Sequence, residues 1–144
     1  MAAPLPVVLC GKTEQIGAGV IATLKPEFEV IHFVLTPEGG KAQIPTILSG
    51  QKDVTTDSTL GTKNYEQTPV AILIGAGYDD QALDEMRAAA KDAKAVPWLR
   101  PDVTKPAPPL GPEYGKALVA RIKETIKDLS EQGKLENNGD VVWY

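Results

Sequence analysis

Short apolar runs alternate along the chain with stretches in which apolar residues recur every three or four positions. Three continuous runs, Leu5–Cys10, residues 28–35 and residues 69–75, are rich in β-branched and aliphatic side chains and predict buried parallel strands. Residues 95–99 predict a shorter strand, and residues 140–144 predict a last strand or a docked aromatic end. The pattern therefore predicts about five strands.

Helical spacing of apolar residues follows the first four of these runs. The first helix ends at Lys25-Pro26, and the second is predicted over residues 42–49 with Gly50 as its terminator. Asp79 or Asp80 caps the third helix, and the fourth is predicted over residues 112–132. Their apolar faces contain Ile16, Val20, Ile21 and Leu24; Ile44, Ile47 and Leu48; Leu83, Met86, Ala90 and Ala93; and Leu118, Ile122, Ile126 and Leu129.

Residues 51–68 are polar and offer little to bury except Val54 and Leu60. A segment of this length without apolar periodicity is unusual inside a compact domain. We expect a short edge strand there, followed by a functional or mobile loop.

Strand–helix alternation at this spacing predicts a single α/β domain over residues 1–144, a three-layer Rossmann-like sandwich with about five parallel strands. Ligands of such sheets bind outside the carboxyl ends of the strands. This rule nominates three loops as parts of a binding site. They contain Gly11, Lys12 and Thr13; Gly75 to Tyr78; and Trp98, Arg100 and Asp102.

Composition narrows the choice of partner. The 144 residues carry a net charge of −4, which gives no basic surface for nucleic acid or for an anionic membrane. The chain contains one cysteine, Cys10, and one histidine, His32, too few for a disulfide or a Cys/His zinc site. The apolar runs are shorter than a membrane helix requires. We expect a cytoplasmic protein with a free thiol.

The loop after the first strand carries Gly11 and Gly17 at the first and third glycine positions of a G-x-x-G-x-x-G motif. Together with residues 52–60 and 70–77, it resembles the cofactor half of the NmrA-like atypical short-chain dehydrogenases over about residues 5–102. The resemblance implies an NAD(P) cofactor and places an acidic residue, here Asp53, beside the adenine. The residues that it nominates for cofactor binding are Gly11, Lys12, Thr13, Glu14, Gly17, Asp53, Gly75 and Tyr78.

The sequence departs from this family where the chemistry is concentrated. Glu14 replaces the middle glycine, and a carboxylate ~4 Å from a phosphate would cost about 4 kcal/mol before screening at an effective dielectric near 20. The second strand ends without an acidic residue for a ribose hydroxyl, because Glu38 comes three residues too late. No tyrosine has a lysine four residues later, and Pro6 stands where a phosphate-binding P-loop needs glycine.

Several residues allow a structural and a functional interpretation. For Cys10 we favour a small core residue over a catalytic thiol. For His32 we favour a packed histidine over a catalytic base. Arg100, with Trp98 and Asp102 nearby, could bind a planar or anionic ligand or form a structural ion pair, and the two interpretations stand equal.

Two further groups of residues are predicted to lie on the surface. For one acidic group we favour a helix cap and a solvated helix face over a metal site. This group consists of Asp79, Asp80, Asp84 and Glu85. An exposed aromatic pair at Trp143 and Tyr144 favours a homodimer.

Three functions stay open. The first is binding of a nucleotide or another small anionic ligand without dehydrogenase chemistry, through Lys12, Thr13, Tyr78 and Arg100. The second is an NAD(P)-dependent oxidoreductase completed by a dimer partner or by the proline-rich segment after Arg100. The third is a protein-interaction module whose former cofactor site is filled by its own side chains.

Overall fold

The computed structural model describes residues 3–109, 111–136 and 138–144. Five strands alternate with four helices along the chain. In order they are β1 (Leu5–Cys10), α1 (Glu14–Leu24), β2 (Phe28–Val34), α2 (Pro37–Leu48), β3 (Ala71–Ile74), α3 (Asp80–Ala89), β4 (Trp98–Arg100), α4 (Pro112–Glu131) and β5 (Val141–Trp143).

The five strands form one parallel sheet in the order β2-β1-β3-β4-β5. Helices α1 and α4 pack together on one face, and α2 and α3 pack together on the other. The predicted α/β class and the three-layer Rossmann-like sandwich are therefore confirmed. The strand order is that of a doubly wound sheet whose chain reverses direction across the sheet between β1 and β3.

Alternate residues of β1 face opposite layers of the core, as the pleat of a strand requires. Val7 and Leu9 contact the layer formed by α1 and α4. Val8 and Cys10 contact the layer formed by α2 and α3. The side chain of Cys10 therefore points away from α1, although its backbone leads directly into the loop before that helix.

The edge strand expected within residues 51–68 is absent, so this prediction was wrong. The segment instead follows the outer edge of β2 with two backbone hydrogen bonds, from Thr62 N to Val30 O at 2.9 Å and from Lys63 N to Ile31 O at 2.8 Å. Gly61 precedes them with a φ of +90°, a left-handed conformation that turns the segment away from an extended path. Because the segment has so few apolar residues, packing does not favour a longer pairing.

Helix α2 begins five residues earlier than predicted. Thr36 caps it, since its Oγ1 accepts a hydrogen bond from the backbone N–H of Gly39 at 3.0 Å, and Pro37 occupies the first turn. Gly40 is needed for packing, because a Cβ there would lie 2.4 Å from the sulfur of Met86. Tertiary contact with α3 thus outweighs the low helix propensity of the two glycines.

The later elements refine two more expectations. Strand β4 begins at Trp98, three residues after the predicted start, and α3 is capped by Asp79, whose carboxylate accepts from Ala82 N at 2.8 Å. Residues 140–144 were expected to form a last strand or a docked aromatic end, and both occur. Val141–Trp143 form β5, and the side chain of Tyr144 is buried in the core.

Candidate functional site

A largely apolar cavity of about 230 Å³ opens at the carboxyl ends of β1 and β3. We call it the crevice. It lies where the strand order reverses, the place at which sheets of this kind bind ligands. Its wall is formed by the loops after β1 and β3, the first turns of α1 and one side of α4. The lining residues are Leu9, Cys10, Gly11, Lys12, Thr13, Ile16, Gly17, Val20, Phe33, Gly75, Ala76, Gly77, Tyr114, Leu118, Ile122 and Tyr144.

Phe33 forms part of the crevice wall and is fully buried. Both glycines of the first loop make room for its ring. A Cβ at Gly17 would lie 2.5 Å from Cε1 of Phe33, and a Cβ at Gly11 would lie 3.0 Å from its Cζ. The two glycines therefore serve close packing between β2 and α1, the structural role that such positions have in doubly wound folds.

Lys12 crosses the rim of the crevice. Its ammonium nitrogen lies 4.7 Å from the ring centre of Tyr78, within the range of a cation–π contact. Its side chain passes over Gly77, where a Cβ would come within 2.6 Å of Cγ of Lys12. Gly77 thus provides the space in which Lys12 lies against Tyr78.

Tyr78 itself is buried behind the loop. Its hydroxyl lies 3.1 Å from the carbonyl oxygens of both Gly11 and Val34, so it ties the ends of β1 and β2 to the loop after β3. Burial raises the pKa of this phenol. Tyr78 therefore acts as a support beneath Lys12 and remains protonated at neutral pH.

Glu14 lies beside the crevice lining, next to Thr13, and is held there by a residue of the segment 51–68. The hydroxyl of Ser58 donates to its carboxylate at 3.0 Å, and the same hydroxyl accepts from Leu60 N at 3.1 Å. Glu14 opens α1, where a negative charge is favourable. Thr13 occupies the N-cap without a side-chain capping bond, so its hydroxyl is left at the rim.

Tyr144 closes the crevice from the side of β5. Its ring is 2% exposed, and its hydroxyl donates to the carbonyl oxygen of Ile74 at 2.8 Å. Burial raises the pKa of this phenol as well. The neighbouring Gly75 donates its backbone N–H to Cys10 O at 2.9 Å, and a Cβ there would approach that oxygen to 3.0 Å. This close approach joins the two loops that form the crevice.

The structure brings together most of the residues nominated around the first loop. Gly11, Lys12, Thr13, Gly17 and Gly75 line the crevice. Glu14 and Tyr78 adjoin it through the contacts just described.

Asp53, Trp98, Arg100 and Asp102 lie outside the crevice lining. Asp53 is exposed on the segment beside β2. Trp98 begins β4, so its ring is buried at the amino end of the sheet, beside a more polar depression that includes Arg87.

Arg100 forms the ion pair that was one of its two interpretations. Its guanidinium lies 2.6 Å from the carboxylate of Asp80 and stacks 4.4 Å above the ring of Trp143. Asp102 accepts hydrogen bonds from the backbone N–H and the hydroxyl of Thr104, and these bonds lower the pKa of its carboxyl. Both side chains are thus engaged in local structure.

Cys10 is fully buried on the α2–α3 side, and burial raises the pKa of its thiol, so it stays a neutral core group. Only its backbone contributes to the crevice side of β1. Its interpretation as a small core residue agrees with this placement.

His32 is fully buried in a chain of hydrogen bonds that sequence reasoning missed. Its Nδ1 lies 2.7 Å from the hydroxyl of Tyr65 and its Nε2 lies 2.7 Å from Oε1 of Gln43. The amide nitrogen of Gln43 donates to Asp57 at 2.9 Å, so its oxygen accepts from Nε2–H and Nδ1 accepts from Tyr65. Burial lowers the pKa of His32 and keeps the ring neutral. The one signal was Gln43, a polar residue next to Ile44 on the buried side of α2.

Two further observations concern the described ranges as a whole. Within residues 3–109, 111–136 and 138–144, no three His, Cys, Asp or Glu side chains are grouped as metal ligands. In the same ranges no helix has both the length and the apolar character to cross a membrane.

Comparison with known proteins shows similarity to a known protein over most of the chain. A protein of Aspergillus oryzae named Kojic acid related protein 6 is 39% identical over 140 residues, which cover 94% of this chain and 84% of the relative. The chain belongs to the family of Kojic acid related protein 6. No family model matches it, and no solved structure matches it.

Proposed function

We propose that the protein binds a nucleotide or another small anionic ligand in the crevice, without dehydrogenase chemistry. The observation that carries this proposal is the apolar cavity at the reversal point of the sheet with Lys12 at its rim. Apolar walls with a few polar groups are the usual form of a small-molecule site. Lys12 supplies the charge for an anionic group, and the walls around Phe33 and Leu118 supply surface for a flat apolar body.

The size of the crevice limits the ligand. A cavity of about 150 Å³ holds one benzene molecule, so about 230 Å³ accommodates one ring or a compact pair of rings. A dinucleotide would have to extend across the loop at Glu14, where the carboxylate repels phosphate. The alternative of an NAD(P)-dependent oxidoreductase related to the NmrA-like dehydrogenases depends on Gly11 and Gly17 as cofactor-binding glycines. In the structure both glycines make room for the ring of Phe33.

The proposal also includes a cytoplasmic location and a homodimeric state. A cytoplasmic location is supported by the free, buried thiol of Cys10. A homodimer is supported by Trp143, which is 52% exposed on β5, the outermost strand of the sheet. Tyr144 does not contribute to that surface, because its own core buries it.

Calorimetric titration of the protein with benzoate, AMP, NADPH and kojic acid tests the binding proposal. Kojic acid is included because the name of the relative refers to it. We expect saturable binding of at least one small ring compound and no consumption of NADPH in the presence of carbonyl compounds.

Two variants of α1 show whether binding occurs in the crevice. Ile16→Trp places a larger side chain in the crevice wall and should weaken binding at least tenfold, since the ring competes for the same volume. Ala18→Trp puts the same side chain on the exposed side of the helix and should leave the dissociation constant unchanged. The proposal fails if none of the four compounds binds, or if both variants bind as tightly as the unmodified protein.

A further inference from the structure

The crevice carries one cation and one anion at its rim, and their different attachments suggest which charged ligands it accepts. Lys12 lines the crevice, whereas Glu14 lies beside the lining at the start of α1. The other lining residues are uncharged. A ligand bound there would therefore meet one positive charge directly and one negative charge at the margin.

Lys12 has a defined place from which to act. Its ammonium rests over the ring of Tyr78 at 4.7 Å, and its stem occupies the space left by Gly77. Tyr78 is in turn fixed by its contacts with two carbonyl oxygens. A lysine held in this way loses little side-chain freedom when a carboxylate approaches, so more of the interaction energy contributes to binding.

Glu14 has an equally defined place. Its carboxylate accepts a hydrogen bond from the Ser58 hydroxyl at 3.0 Å, which places it beside the crevice lining. A phosphate dianion at Lys12 would have the Glu14 carboxylate beside it, whereas a monoanion needs only the single cation that lines the crevice.

From this charge arrangement and the volume of the crevice, we infer that the ligand is a compact one-ring carboxylate or similar monoanion rather than a phosphate ester. The ring packs against Phe33, Ile16 and Leu118, and its charged group meets Lys12. Glu14 is the residue that discriminates against phosphate. This inference rests on the proposed function of the same crevice and narrows it to one chemical class.

Three probes with the same ring separate the two effects. Benzoate, benzamide and phenyl phosphate differ in charge but share the phenyl group, so their dissociation constants compare the charged group alone. For the unmodified protein we expect benzoate to bind at least tenfold more tightly than benzamide, the size of one charge-assisted hydrogen bond. Phenyl phosphate should bind more weakly than benzoate.

Two variants assign these preferences to residues. Lys12→Gln should bring benzoate and benzamide to within about twofold of each other while leaving the benzamide affinity unchanged, which a general disturbance of the crevice would not do. Glu14→Gln should improve phenyl phosphate binding about tenfold and change benzamide binding little. Lys25→Gln and Glu131→Gln remove the same charges at exposed positions outside the crevice lining and should preserve the order of the three probes.

The outcomes separate the inference from the proposal beneath it. If none of the three probes binds, the proposed function of the crevice fails together with the inference. If phenyl phosphate binds more tightly than benzoate to the unmodified protein, or benzamide equals benzoate, the inference is overturned while the crevice remains a binding site. Lys12 is exposed, so Lys12→Gln is expected to fold and carries the test even if Glu14→Gln does not.

Discussion

The ring of Phe33 lies against the backbone of Gly17, so close that a Cβ at residue 17 would be 2.5 Å from Cε1 of the ring. Real Cβ atoms do not approach carbon this closely, so a side chain at residue 17 would force the buried ring of Phe33 or helix α1 to shift. The glycine that resembles part of a cofactor motif therefore has a packing requirement of its own.

This contact predicts opposite effects of one substitution at two positions of α1. Gly17→Ala should lower the free energy of unfolding by about 1–3 kcal/mol, because the methyl group overpacks the core against Phe33. Gly19→Ala should raise it by up to about 1 kcal/mol, because nothing lies within 4 Å of the added Cβ and alanine favours the helix. Urea denaturation measures both, and equal stabilities of the two variants would show that Phe33 yields.

Protonation of His32 should make stability depend on pH. Burial lowers the pKa of His32 in the folded state, so between about pH 6.5 and that lower value the unfolded chain binds more protons than the folded one. The free energy of unfolding should therefore fall as the pH drops below about 6.5, by at most about 1.4 kcal/mol per pH unit.

Denaturation of His32→Gln over the same pH range provides the control, because glutamine does not titrate. Its stability should be flat between pH 6.5 and 5, where the unmodified protein declines. The carboxyls of Glu27 and Asp102, whose pKa values are lowered, lose their contribution only at more acidic pH. A decline of the same slope in the variant would assign the effect to other groups.

Removal of one hydroxyl at the crevice should have a measurable cost. Tyr144→Phe leaves the ring in place but deprives the carbonyl of Ile74 of its donor, so we expect a loss of about 1 kcal/mol in the free energy of unfolding. Trp143→Phe is the neighbouring control, since that side chain is half exposed, and it should change stability less. Thermal denaturation of the two variants compares them directly, and equal losses would contradict the assigned role of the hydroxyl.

The open edge of the sheet predicts the behaviour of the protein in solution. Light scattering coupled to size-exclusion chromatography should give the mass of a homodimer for the unmodified protein and of a monomer for Trp143→Ser. Arg100 loses its stacking partner in this variant, so a change in stability alone does not count. A monomer in both cases would remove the homodimer from the proposal.

Restoring the missing glycine tests how far Glu14 excludes dinucleotides. Glu14→Gly should strengthen NADPH binding at least tenfold in fluorescence titrations, because it removes a carboxylate from the loop that would face the phosphates. Glu113→Gly makes the same change in the first turn of α4 and should have no such effect. Absence of NADPH binding to both variants would mean that the packing of Phe33, and not charge, sets the limit.

Sequence periodicity was sufficient for the elements whose local pattern and tertiary environment agree. Strand β1 has the predicted bounds, since residues 5–10 are a continuous apolar run between Pro4 and Gly11. Helix α2 was predicted too short because its glycines lower helix propensity, and only the contact of Gly40 with Met86 explains why they are tolerated. The short edge strand predicted within residues 51–68 does not form, because only Thr62 and Lys63 bond to β2, after a turn at Gly61 that the apolar pattern does not indicate.

The candidate site was predictable in part for a similar reason. The rule that ligands bind at the carboxyl ends of strands located the loops of Lys12 and Gly75, which do line the crevice. Trp98 begins β4 and so lies at the other end of the sheet, while Arg100 ends β4 but lies outside the crevice lining. The bond between Ser58 and Glu14 spans 44 positions, and no local pattern indicates it.

The two edge strands of the sheet, β2 and β5, differ in how freely they can pair with a further strand. Thr62 and Lys63 occupy part of the outer edge of β2 through backbone hydrogen bonds to Val30 and Ile31, while β5 has a partner strand on one side only. Covering an edge is a common way in which proteins avoid uncontrolled strand pairing. Pairing of β5 with β5 of a second copy around a twofold axis uses the free side of both strands, so it joins two copies and does not continue into a filament.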